Sequence, residues 1–191
     1  MILETIISTQ DIDGNAHVTP FGIRKQDGFV VISPYKPSTT LANILATGVA
    51  VMNLTDDVRV FAGSFTKRVT WQLTPVLHVN GQRLNHTLSH QELRLVNVID
   101  DAMRPQLIME VIYSEQHQPF EGFNRAQAAV IELAVLVSRL QRLPMEKIIQ
   151  DMQYLQIAID KTSGPRELEA WAWLVEAVDN HRAALSGDNT G

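Results

Sequence analysis

The sequence contains no cysteine. That absence excludes a disulfide framework, a thiolate zinc site, an iron–sulfur cluster and a cysteine nucleophile. Basic charge is also scarce: 16 Lys and Arg stand against 21 Asp and Glu, for a formal charge of −5. A nucleic-acid footprint needs clustered Lys and Arg, so none is expected. Long apolar runs are missing. The best candidate, 126–140, is broken by Gln127, Glu132 and Arg139, short of the roughly 18 consecutive apolar residues of a membrane span. Met1-Ile2-Leu3-Glu4 lacks the basic start of a secretory signal. The expectation is a soluble cytoplasmic protein with neither a membrane nor a nucleic acid as partner.

Familiar catalytic signatures are absent too. There is no Gly-rich dinucleotide fingerprint and no Walker loop. Gly63-Ser64-Phe65 lacks the flanking glycines of a nucleophile elbow. His86 and His90 stand four apart, but 84–90 reads as a polar connection with no nearby carboxylate set, so no metal site is expected. Asp56-Asp57 and Asp100-Asp101 are adjacent pairs, which would alternate faces in a strand, and they read as turn residues.

What is present changes period near residue 122. Before it, short β-branched runs at 2–9, 17–25, 29–33, 49–54, 58–65, 71–79, 92–99 and 107–113 predict strands. Asp11–Asn15, Asp27-Gly28 and Asn80-Gly81-Gln82 supply turn chemistry between them. About eight strands with hairpin connections predict an antiparallel barrel or sandwich. One helix interrupts them over 38–48, with hydroxyl residues at its start and Gly48 at its end.

Beyond Gly122, Ala126, Ala129, Val130, Leu133, Val137 and Leu140 follow helical spacing. Pro144 ends that helix. A second helix aligns Met145, Ile148, Ile149, Met152, Leu155 and Ile159, and a third opens at Pro165 and aligns Leu168, Trp171, Leu174, Val175 and Val178. The fold class is thus mainly β with α: a barrel over 1–122, a helical segment over 123–186 packed on the barrel or a second subunit, and a disordered tail over 187–191.

The strongest local feature is 34–43, Pro-Tyr-Lys-Pro-Ser-Thr-Thr-Leu-Ala-Asn. Ser38, Thr39 and Thr40 open the helix, Lys36 precedes them and Asn43 follows one turn later. The unpaired N–H groups and positive dipole end of a helix start suit a phosphate or carboxylate. Ser and Thr are also ordinary N-caps, and Lys36 an ordinary loop residue. Thr19-Pro20-Phe21-Gly22 puts proline and glycine inside a strand-like run, marking either a ligand's approach to backbone or an edge irregularity. Asn53 ends an apolar strand, able to face a ring or to cap a turn. Arg125, Glu132 and Arg139, seven apart, form either a solvated stripe or an inward ion set.

These motifs, taken in order, resemble a known family. They are Glu4–Thr9 leading through Gly14 to Thr19-Pro20-Phe21-Gly22, the turn 34–43 and the strand 49–57. In the helical half come Asn124-Arg125-Ala126, Val130-Ile131-Glu132, Ser138-Arg139 and Lys161-Thr162-Ser163-Gly164. The family is an uncharacterised group of FMN-binding split-barrel proteins from methanogens and methylotrophs, akin to flavin reductases and pyridoxamine-phosphate oxidases. The resemblance spans 2–178 and rests on the ordered set rather than any single motif.

The resemblance implies a split barrel, a homodimer and FMN bound where subunits meet. It implies that Ser38, Thr39 and Thr40 hold the phosphate with Lys36 and Asn43 nearby, that Thr19 and Pro20 line the ring edge, and that Asn53 contacts the ring or ribityl chain. Arg125 and Arg139 join this set. Where the superfamily often has arginine before the phosphate turn, this chain has Lys36, without the bidentate fork. The activity implied is that of a flavin-dependent oxidoreductase or reductase on a small substrate, near tetrahydromethanopterin-linked one-carbon metabolism. The alternatives are a non-catalytic flavin carrier or sensor that binds a partner protein, and a barrel without flavin that uses its helices to dimerise.

Overall fold

The computed structural model describes residues 1–68 and 70–187. Six antiparallel strands close a split barrel in the order β1-β2-β3-β8-β7-β4. These are β1 (Ile2–Gln10), β2 (Ala16–Gln26), β3 (Phe29–Ile32), β4 (Val49–Leu54), β7 (Ser89–Ile99) and β8 (Gln106–Gln116). The helix α1 (Thr39–Thr47) lies between β3 and β4, and β5 (Leu73–Pro75) pairs with β6 (Gln82–Leu84) as a separate ribbon. The helices α2 (Arg59–Thr66), α3 (Arg125–Val137), α4 (Met145–Thr162) and α5 (Pro165–Gly187) complete the chain. No described helix is long and apolar enough to cross a membrane.

Two compact units result: Met1–Asp56 with Trp71–Phe120, and Asp57–Thr70 with the chain from Glu121 onward. In the first, Ile7, Ile23, Val30, Ile32, Met52, Leu93, Leu107 and Met109 fill the barrel, joined by Leu41 and Ile44 of α1. Each fully buried side chain of this size contributes roughly 1.5–3 kcal/mol. Local chemistry sets the turns. Asp27 and Gly28, at φ 52 and 84, close the hairpin that pairs Gln26 with Phe29. Gly48, at φ 73, ends α1 and donates its N–H to Ile44 O at 2.8 Å.

The second unit buries Ala126, Ala129, Val130, Leu133, Ala134, Ile148, Ile159, Ala170, Trp171, Leu174 and Val178. Asn124 caps α3 by accepting from Ala126 N at 2.8 Å. Glu167 reaches back to accept from Gly164 N at 2.9 Å, which closes the start of α5. That capping role explains why Glu167 is buried while Leu168, expected on the inner stripe, is exposed.

Several expectations are overturned. The strand expected over 58–65 is α2, whose Val58, Phe61, Ala62 and Phe65 also satisfy helical spacing, so a short apolar run fitted both periods. The strand expected over 71–79 shrinks to β5, and part of the polar connection expected over 84–90 is strand. The helix α5 runs through Gly187, the first residue of the expected tail, and 188–191 lie outside the described residues. Finally, α3 stops at Val137, where Arg139 N and Leu140 N bond to carbonyls three residues back, and Arg139 therefore lies in a turn rather than on the helix.

Candidate functional site

The turn 33–38 carries the chain from β3 into α1. Ser38 is the N-cap, with extended backbone, and its Oγ accepts from Leu41 N at 3.3 Å. Its hydroxyl proton remains available as a donor. Thr39 is exposed beside it, whereas Thr40 points inward and is buried.

The tip of the β7–β8 hairpin holds this turn from one side. Lys36 N donates to Met103 O at 2.8 Å, and Lys36 Nζ pairs with Asp100 Oδ1 at 2.9 Å. Arg104 lies over the Tyr35 ring, 4.9 Å from its centroid, and its Nε donates to Ser33 O at 2.9 Å. Asp101 accepts the N–H groups of Arg104 and Met103, which hold its carboxyl below the usual range. The Asp100 carboxyl is likewise lowered, chiefly by Lys36.

Against the same turn opens a cavity of about 160 Å³ lined by Ile2, Gly22, Arg24, Ser33, Arg104 and Gln106. Strand register builds it: Gly22 and Arg24 share one face of β2, with Ile2 of β1 opposite Arg24. The guanidinium of Arg24 donates to Gln106 Oε1 at 3.1 Å and Ser33 Oγ at 3.4 Å. Gly22 has a steric reason. A Cβ there would lie 2.9 Å from Ile2 Cγ2 and 3.2 Å from Glu4 Oε1. The cavity lining carries two guanidinium groups, while the Glu4 carboxylate stands at its edge beside Gly22.

The structure thus gathers Lys36, Ser38 and Thr39 at one turn and sets Pro20 on the same face of β2 as Gly22 and Arg24. Pro20 has no partner on the β3 side, because β2 pairs with β3 only over 24–26. Thr19 falls on the opposite face, with Phe21 and Ile23. Asn43 does not join the turn: it is buried and its Nδ2 donates to Thr9 Oγ1 at 3.0 Å. Asn53 is fully buried. Its Nδ2 faces Ser8 Oγ at 3.0 Å and the Ile6 and Val51 carbonyls at 3.3 Å, and its Oδ1 accepts from Leu84 N at 2.8 Å.

Arg125 and Arg139 belong to the helical unit and both are exposed. Arg125 lines a groove of about 260 Å³ with Glu132 and Tyr154, which Arg139 does not reach. Sequence reasoning missed Arg24, Ser33, Arg104 and Gln106. Only the Gly22-x-Arg24 alternation beside Pro20 offered a signal, since the other three arrive from the turn after β3, from β8 and from the hairpin tip.

Two domain descriptions of one family match the sequence. The N-terminal domain of DUF447, a protein of unknown function, matches residues 3–118, and its C-terminal domain matches 124–176. None of the curated proteins compared matches the sequence. An FMN-bound DUF447 protein from Methanosarcina mazei is similar in structure, with a TM-score of 0.79 at 19% identity, covering 92% of this chain and 94% of that one. The 2-nitrobenzoate 2-nitroreductase of Pseudomonas fluorescens gives a TM-score of 0.53 at 19% identity over 60% of this chain and 64% of its own. A split-barrel flavin reductase, so described, from Shewanella frigidimarina gives 0.52 at 16% identity over 65% and 74%.

Proposed function

This chain belongs to the DUF447 family, and we propose that it is an FMN-binding flavoprotein acting as a flavin-dependent oxidoreductase on a small substrate. The observation that carries the reading is the hydroxyl-lined, Ser38-capped start of α1, reached through the turn 33–38 whose first residue, Ser33, lines a cavity bearing Arg24 and Arg104. A phosphate dianion needs several donors in one place. Ser38, Thr39 and the first-turn N–H groups of α1 would offer them at the helix start, with Arg24 and Arg104 adding positive charge from the cavity beside Ser33, without a basic protein overall. Pro20 and the Cβ-free backbone at Gly22 leave an edge on which a flat ring would rest. Lys36, drawn to Asp100, contributes charge rather than a direct bond.

Bound FMN would supply the electron-transfer chemistry, while the protein positions the flavin and tunes it through nearby hydrogen bonds. The FMN-bound Methanosarcina protein and the flavin reductase and nitroreductase neighbours support this reading. A homodimer goes with it. Exposed Tyr154 and Ile157 on α4 offer apolar surface to a second copy. The tetrahydromethanopterin link rests on the family's distribution and on no residue of the site.

The direct test is the absorption spectrum of protein purified from cells, with mass identification of anything released by heat. Protein that stays colourless after incubation with FMN and desalting overturns the reading. Replacing Thr39 and Arg24 singly with alanine should each weaken FMN binding about tenfold or more, as hydrogen bonds to charged groups are worth about 1.5–3 kcal/mol. A fluorescence titration measures this. The cavity lining contains no acid–base pair, which favours the flavin-carrier alternative. Rapid bleaching of bound FMN by NADH, NADPH or reduced deazaflavin in stopped flow, followed by reoxidation with substrate, would eliminate it. Light scattering reads the dimer.

A further inference from the structure

The register of β7 on β8 places His90 opposite Glu115, and the chain leaving β8 brings His117 alongside. His90 is 2% exposed. Its Nδ1 stands 2.9 Å from His117 Nε2, with the two rings nearly parallel. A nitrogen of each imidazole and a carboxylate oxygen of Glu115 lie within 4.8 Å of one another. The far nitrogen of His90, Nε2, is buried without a hydrogen-bond partner and faces Glu92 Oε1 at 3.6 Å.

Two imidazole nitrogens this close share either a proton or a metal ion. We propose that His90, Glu115 and His117 bind a divalent first-row transition cation of the zinc class. Nδ1 of His90 and Nε2 of His117 would offer lone pairs, and Glu115 one oxygen, a donor set that suits Zn²⁺ and leaves a fourth position open.

The surroundings fit this role. With Nδ1 on the metal, the proton of His90 sits on Nε2, aimed at Glu92, the carboxylate–histidine–metal arrangement that fixes a ligand's tautomer. Glu92 is itself buried and immobilised, accepting from Leu77, His78 and Val79 N–H at 3.4, 2.7 and 2.7 Å. Tetrahedral zinc at ordinary bond lengths would spread the two nitrogens to roughly 3.3 Å, a small rotation for His117 beyond the end of its strand. Arg83 is the nearby opposing charge, but it donates to the Leu84 and Asn85 carbonyls at 3.0 and 3.1 Å.

The test uses untagged full-length protein treated with a chelator and titrated with Zn²⁺ by calorimetry, and with Co²⁺ in the visible region beyond flavin absorption. His90→Ala would open a hole at the buried start of β7, so the outer ligands are varied instead. Wild type should bind one Zn²⁺ per chain. H117A should weaken binding at least about 100-fold and E115Q about tenfold, given that losing even an outer-shell partner costs 10–100-fold. H86A, a neighbouring exposed histidine outside the cluster, should bind as wild type does. Circular dichroism checks folding, and flavin content is read separately, because this site does not rest on the flavin reading. Wild type without stoichiometric Zn²⁺ binding, or H117A with wild-type affinity, overturns the proposal.

Discussion

Ser38 and Asn53 are both small polar residues at element boundaries, yet burial gives them opposite roles. Ser38 keeps a hydroxyl at the surface, whereas Asn53 is sealed and links β1, β4 and β6 through its amide. Asn53→Ala strands Leu84 N–H and the amide's other partners, at about 1–3 kcal/mol for each group left unsatisfied. Urea denaturation should show that loss, while folded N53A binds FMN with unchanged affinity. Preserved stability with lost flavin would instead return Asn53 to the ring. The alternation rule was enough to locate Asn53 on a strand. It did not tell which side water would reach, because that depends on β6 arriving from thirty residues away.

At the scale of elements, α1 was legible because its signals are local. Ser38 accepts from Leu41 N, and Gly48 takes the left-handed conformation that a side chain resists. Gly48→Ala should destabilise the protein by roughly 1–2 kcal/mol, the cost of a Cβ in that region, measurable as a lower urea midpoint at unchanged slope. Nothing packs within 4 Å of that added carbon, so a larger loss would mean the α1–β4 connection itself rearranges. The helix α2 was illegible for the opposite reason. Its apolar residues fit a period of two and of 3.6 equally well, and its β-branched valines favoured the wrong choice. Tertiary burial of Val60, Phe61 and Ala62 decided the matter.

For the molecule as a whole, the barrel interior sets stability. Leu93 is fully buried among Ile7, Met52 and Met109, and Leu93→Ala should cost about 2–5 kcal/mol through lost contact and a residual cavity. Thermal unfolding followed by circular dichroism checks this. A loss below 1 kcal/mol would mean that the barrel collapses freely around the site. By itself the sequence determined the mainly β half, the helices after residue 122, the Asp27-Gly28 hairpin and the caps of α1 at Ser38 and Gly48. Each of these follows from period, propensity or a single backbone angle, all readable within a few residues. Tertiary structure alone decided the arginine cavity, which joins β1, β2, the turn after β3 and the β7–β8 hairpin, and the histidine pair, which joins the start of β7 to the residue just past β8. Strand order and register bring those residues together, and such long-range pairings leave no mark on the spacing of the residues they unite.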